Sequence, residues 1–215
     1  KYKFYKKIEL INLNQIIKKK IKKRNIYFIE IKNSNSKNYI HECFKVAFYI
    51  IKRGLTNKLI NGPINKSKTL KRKYPGMTEY ISKNFNEKKF AMLIYNNKLS
   101  VSPLTTHLPL KMVAKKITKK LIIEKIMIIN TFYNQKLGFK PKIGVVGLNP
   151  HCESLSKYNE DTKIILPVIN SLKKKNIQPN LPIRTDCSTA IVRGAAVAMA
   201  KARAHRNANE NHSQI

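Results

Sequence analysis

A chain of 215 residues can form one large domain or two small ones with a real core, and at 42% hydrophobic it is no solvated, disordered polymer. No apolar run reaches the roughly 20 residues of a membrane span, and three widely spaced cysteines, Cys43, Cys152 and Cys187, suit a reducing cytoplasm better than a disulfide framework. The formal net charge of +33 is mostly lysine spread through every segment, with no arginine-bearing stripe, so nucleic acid is not expected as the primary partner.

The lysine-led start lacks the apolar block and cleavage site of a signal peptide. Residues 12–24 then place Leu13, Ile16, Ile17 and Ile21 at helical spacing, and residues 26–31 read as a short strand. Residues 36–53 predict a helix with Ile40, Phe44, Ala47 and Ile51 on one stripe and Gly54 as its stop. Residues 58–60 read as a strand running into the turn Asn61, Gly62, Pro63. Residues 90–95 and 99–102 suggest a hairpin around Asn96, Asn97 and Lys98. Residues 109–135 are mostly helical and end near Gly138, residues 143–146 form a buried strand, and residues 158–175 return to helix. This alternation predicts an α/β sandwich with a largely parallel or mixed sheet. In such sheets ligands collect where strands end, and the loops 61–67, 103–110 and 147–154 all sit there.

From about Ala190 the chain turns rich in alanine and arginine while lysine and isoleucine fall away. The expected organisation is one domain over residues 1–180 and a compositionally distinct tail over 181–215. That tail is expected to be helical and then disordered, because alanine buries too little area to anchor a segment.

Two of five histidines, His107 and His151, lie in proline-containing loops directly after separate strands. Neutral imidazole is a common ligand for divalent metals, and two such ligands on neighbouring strand ends could share one ion. Taken singly, each such histidine is more often a cap or a core residue. His41 reads as a helix residue, His205 and His212 as solvated, and Cys152 as a small buried residue with no base to activate it. The loop from Asn61 to Ser67 reads either as a phosphate or carboxylate cradle using Lys66 or as an ordinary turn. It is no Walker loop, and no GxGxxG is present. Thr78 can cap a helix or bond a ligand.

The stretches LINGPINKS, PGMTEYIS, LTTHLPL and VVGLNPHCES together resemble, in order and spacing, the signature loops of the 4-hydroxythreonine-4-phosphate dehydrogenase family of pyridoxal phosphate biosynthesis. The likeness covers about residues 37–178, as of a family member incomplete at both ends. It implies an isocitrate-dehydrogenase-like α/β/α sandwich with a mixed sheet, a homodimer, and a divalent metal (Zn, Mg or Co) at a dimer-facing cleft. His107 and His151 would be two of three metal-binding histidines, the third having no counterpart here. Thr78 would contact the small phosphorylated substrate, although the family has His-Thr where this chain has Met77 and Thr78. The resemblance assigns no catalytic and no NAD-binding residue. The implied reaction is NAD-dependent oxidation of 4-phosphooxy-threonine to a β-keto acid, which then loses carbon dioxide. A branch acting on four-carbon sugar-acid phosphates, an inactive member of the family and a basic nucleic-acid-binding protein are the alternatives.

Overall fold

The computed structural model describes residues 7–18, 21–22, 25–31, 38–70, 73–96, 99–149, 159–174, 177, 179–183 and 197–201. The chain divides into two compact units, Lys1–Asn84 and Phe85–Ile215.

In the first unit, strands β1 (Lys7–Ile11) and β2 (Asn25–Ile29) pair in parallel, with Ile8 opposite Ile26 and Leu10 opposite Phe28. Helix α1 (Leu13–Lys18) opens with reciprocal caps, Asn12 N–H to Gln15 Oε1 and Gln15 N–H to Asn12 Oδ1, both 2.8 Å. The longer helix expected over 12–24 does not form. Of its apolar stripe only Ile16 is buried, and Ile21 is exposed, so tertiary packing does not carry the helix further. Helix α2 (Tyr39–Lys52) matches expectation closely, and Gly54 follows its end with φ +74°.

Helices α3 (Lys66–Leu70) and α4 (Met77–Asn84) complete this unit. Its core is aromatic. The Tyr80 ring of α4 meets Phe44 at 5.5 Å and Phe48 at 5.8 Å on α2, and Tyr74 at 5.2 Å, the Phe44 and Tyr74 contacts being edge-to-face. Burial, and then the neighbouring Tyr74, push the Tyr80 phenol above its ordinary value. The strand expected at 58–60 is absent, and Ile60 stands 96% exposed, so it has no sheet face to bury.

The second unit holds a four-stranded mixed sheet ordered β3-β6-β4-β5, as the expected α/β class requires. Its strands are β3 (Leu99–Pro103), β4 (Lys142–Val146), β5 (Pro179–Ile183) and β6 (Val197–Lys201). The Pro-bearing strands β3 and β5 take the two edges, where a missing N–H breaks no ladder. The expected hairpin is reduced to one bridge between Ile94 and Val101. Serine hydroxyls replace the rest of the ladder. Buried Ser102 donates to the Met92 carbonyl, and buried Ser100 both accepts from Asn96 N–H and donates to its carbonyl.

The single helix expected over 109–135 is split into α5 (Leu110–Lys116) and α6 (Lys119–Phe132), because extended Thr118 caps α6 by accepting from Leu121 N–H. A π-helical turn, Tyr133–Leu137, follows α6 and ends at Gly138 with φ +76°. A second π turn, Asp161–Ile165, leads into helix α7 (Leu166–Lys174). Pro167 lacks the amide that a regular helix would aim at Lys163, which accounts for the loosened ladder ahead of it. Ile122, Ile126, Ile129, Tyr133, Ile143, Val145, Ile165, Val168 and Ile169 form the dry centre between these helices and the sheet.

The largest departure lies in the expected helical tail. Residues Val197–Lys201 form a strand between β3 and β4, antiparallel to both. The rest of residues 184–215 falls outside the described residues. Alanine favours helix in isolation, and the pairing offered by β3 and β4 on both sides overrides that preference.

Candidate functional site

Strands β3 and β4 both run antiparallel to β6, so they are parallel to each other and release their loops at the same end of the sheet. Their ends are level. Pro103 pairs with Val197, and Val145, one residue before the end of β4, pairs with Ala198. One intervening strand puts the two exits about 9–10 Å apart. The loop after β3 carries His107 and the loop after β4 leads to His151.

His107 is exposed and has φ +56°. Histidine adopts this left-handed region more readily than most residues, yet the conformation costs about 1–3 kcal/mol and persists only where surroundings impose it. Leu104, buried at the base of the loop, ties the turn to the core. His151 lies outside the described residues. Among the described residues, no group of three or more His, Cys, Asp or Glu side chains is placed to hold a metal ion. An exposed imidazole at a strand end fits a divalent ion as one ligand of a set.

The loop after β4 is held by a group that the sequence reading did not single out. Asp161, only 1% exposed, accepts from Leu148 N–H at 2.7 Å and Asn149 N–H at 3.0 Å, one carboxylate oxygen for each. The Asn149 side-chain amide adds a third donor at 2.7 Å. A buried carboxylate is tolerable only when its oxygens are satisfied in this way. Buried Asn159 sets up the arrangement by capping the helix start, its Oδ1 accepting from Asp161 N–H at 2.9 Å. The run Asn159, Glu160, Asp161 is a readable helix-start signal with acids in the first turn. Its tie to residues 148–149 is not readable from sequence.

Thr78 belongs to the first unit, where it is the second residue of α4, half-buried after Met77. The candidate cradle in residues 61–67 turns out to serve the chain itself. Asn65 Oδ1 accepts from Ser67 Oγ at 2.8 Å and Lys68 N–H at 3.1 Å, capping α3. Gly62 has ordinary φ and open space where a Cβ would stand, so nothing there requires glycine. An open cavity of about 500 Å³ in the first unit is lined by Glu9, Asn12, Asn14, Gln15 and Lys18 among others, and neither Thr78 nor His107 borders it. No helix among the described residues is long and apolar enough to cross a membrane.

A family model described as pyridoxal phosphate biosynthetic protein PdxA matches residues 3–195, a wider span than the 37–178 expected from the loops alone. A 4-hydroxythreonine-4-phosphate dehydrogenase of Sulfurihydrogenibium sp. (strain YO3AOP1) is 34% identical over 186 residues, covering 83% of this chain and 58% of that protein. One from Aquifex aeolicus (strain VF5) is 36% identical over 137 residues, 62% of this chain and 43% of that protein. The crystal structure of a 4-hydroxythreonine-4-phosphate dehydrogenase from Klebsiella pneumoniae superposes with a TM-score of 0.66 at 22% identity, covering 83% of this chain and 59% of that one. The chain thus spans less than two thirds of the length of these relatives.

Proposed function

The chain belongs to the PdxA family of pyridoxal phosphate biosynthetic proteins, and on that premise we propose that it takes part in NAD-dependent, divalent-metal-assisted oxidation of 4-phosphooxy-threonine. The observation that carries this reading is the shared sheet end. Parallel β3 and β4 deliver the His107 loop and the loop leading to His151 from level strand ends separated by one strand. In this reading His107 and His151 each offer a neutral imidazole nitrogen to one ion. When bound, the ion supplies Lewis acidity toward the substrate hydroxyl and NAD accepts the hydride.

The residues of the chain do the positioning. The turn at His107 sets where its side chain leaves the backbone, and Asp161 fixes the chain leaving β4. Thr78 donates or accepts a hydrogen bond at the substrate, while Met77, a thioether, cannot supply the donor that the family's histidine would give there. The substrate is a small phosphorylated hydroxy acid, and the dispersed positive charge favours its approach. A homodimer in the cytoplasm is part of the same proposal.

The test is cobalt(II) titration of the purified chain, followed by visible absorbance. His107→Ala and His151→Ala should each weaken binding by more than about tenfold. Two variants that bind as tightly as the parent would remove the metal assignment. With zinc or magnesium, NAD and 4-phosphooxy-threonine, the 215-residue chain should give negligible NADH absorbance. Metal-dependent turnover on the order of 1 per second or faster would show that Met77 and the unmatched third ligand are not limiting.

A further inference from the structure

We propose that the outward face of the β1–β2 sheet is a docking surface for an amphipathic helix of a partner protein, one whose apolar stripe is flanked by acidic residues. The parallel register sets Ile8 beside Ile26 and Leu10 beside Phe28, and the period of two puts these four side chains on one face. Ile8 is 65%, Leu10 72% and Phe28 55% exposed, while Ile11, on the opposite face, is buried. The acid of β1 is turned away as well, since Glu9 accepts from the Asn25 side-chain amide at 2.9 Å on that opposite face. What remains outward is an apolar strip across two strands, the kind of surface that a helix covers in a parallel sheet.

The charge around the strip selects what that helix carries. Parallel strands start at the same end of the sheet, and the sequence there is basic. Lys6 precedes β1, whose first residue is Lys7, and Lys22, Lys23 and Arg24 precede β2. Residues 1–84 hold only four acids, Glu9, Glu30, Glu42 and Glu79. Glu9 is engaged with Asn25, Glu42 is paired with Lys45 at 2.7 Å, and Glu30 follows the other end of β2. A second copy of this chain would bring the same excess of cations to the contact, and like charges oppose association. A bilayer is a poorer fit. Each strand keeps an open edge among the described residues, and hydrocarbon would strand the amide and carbonyl groups there. A helix lying across the face leaves both edges in water. Its apolar side chains at every third or fourth residue cover the strip, and its acids reach the basic end.

The probe is a fluorescent designed helix of about 20 residues, with leucine at every third or fourth position and glutamate on the rest of its surface. It is titrated with the whole chain and followed by anisotropy. The parent should bind it saturably, and a twin helix with lysine in place of glutamate should bind at least about tenfold more weakly. Leu10→Glu and Phe28→Glu, each confirmed folded by circular dichroism, should lower affinity more than about tenfold, because each sets an unpaired charge in the apolar strip. Ile60→Glu makes the same change of charge at a side chain that is 96% exposed and outside the sheet, and it should bind within about twofold of the parent. No saturable binding by the parent, equal affinity for the lysine twin, or an equal loss in Ile60→Glu overturns the proposal. So does binding to phosphatidylserine vesicles that Leu10→Glu abolishes while the acidic helix is ignored, since the face would then serve a lipid surface. Should Leu10→Glu not fold, Leu10→Ser shortens the side chain at a 72% exposed position and adds no charge. It should weaken binding about three- to tenfold, and unchanged affinity there also overturns the proposal.

Discussion

In Lys1–Asn84 the buried apolar side chains among the described residues are Ile11, Ile16, Phe44, Phe48, Leu70 and Tyr80, and the three rings meet one another. In Phe85–Ile215 isoleucine and valine from α6, β4 and α7 close on one another around Tyr133. The polar burial differs as well. Ser100, Ser102, Asn159 and Asp161 are all buried in the second unit and fasten segments beside a strand or at its exit, whereas Thr69 is the one buried polar residue among the described residues of the first. The first unit instead leaves Ile8, Leu10 and Phe28 exposed on one face of a two-stranded parallel sheet. Parallel strands are ordinarily covered on both faces. The contrast teaches that satisfied buried polar groups mark the place where this fold holds loops in one geometry, while ring packing alone suffices to join helices.

The comparison can be broken most decisively at the rings. Phe44→Ala should destabilise the first unit by about 3–5 kcal/mol, read as a shifted midpoint in chemical denaturation with loss of near-ultraviolet dichroism. A loss below about 1 kcal/mol would mean that the ring cluster does not hold α2 and α4 together. Ile126→Ala, 1% exposed in the second unit, should cost about 2–5 kcal/mol. Amide hydrogen exchange should register that cost first in α6 and β4.

A smaller effect concerns alkaline pH. The Tyr80 phenol is pushed above 10.0, so the folded protein retains this proton where the unfolded chain releases it. Its contribution is full below the unfolded value and is lost as pH rises through the folded one. Thermal midpoints should therefore fall above about pH 10, and Tyr80→Phe should flatten that part of the profile. Smallest of all, Ile60→Lys replaces a side chain that is 96% exposed, and stability should stay within about 0.5 kcal/mol. A larger loss would show that residues 58–60 are covered by something.

Helix α2 and strand β4 were readable in advance because one apolar stripe or one unbroken apolar run leaves little choice of period. The family loops pointed to His107 and Thr78 for the same local reason, since each is embedded in a distinctive run of residues. The break at Thr118 was also written in the chain, as a threonine three residues before the amide it caps, but the apolar pattern on either side hid it. Asp161 was hidden differently. Its neighbours announce a helix start, while its partners lie twelve and thirteen residues away on the far side of a loop.

The sequence by itself determined the α/β class, the main helices of both units and the family, because these depend on periodicity and on short motifs that each residue carries locally. Tertiary structure alone decided that Val197–Lys201 is a strand, since its alanines favour helix until β3 and β4 offer ladders on both sides. It alone decided that β3 and β4 end level and parallel, because strand order is settled by pairing between segments far apart in the chain. And it alone turned Asp161 from a helix-start acid into a clamp, because a carboxylate stripped of water must find its donors wherever the fold brings them.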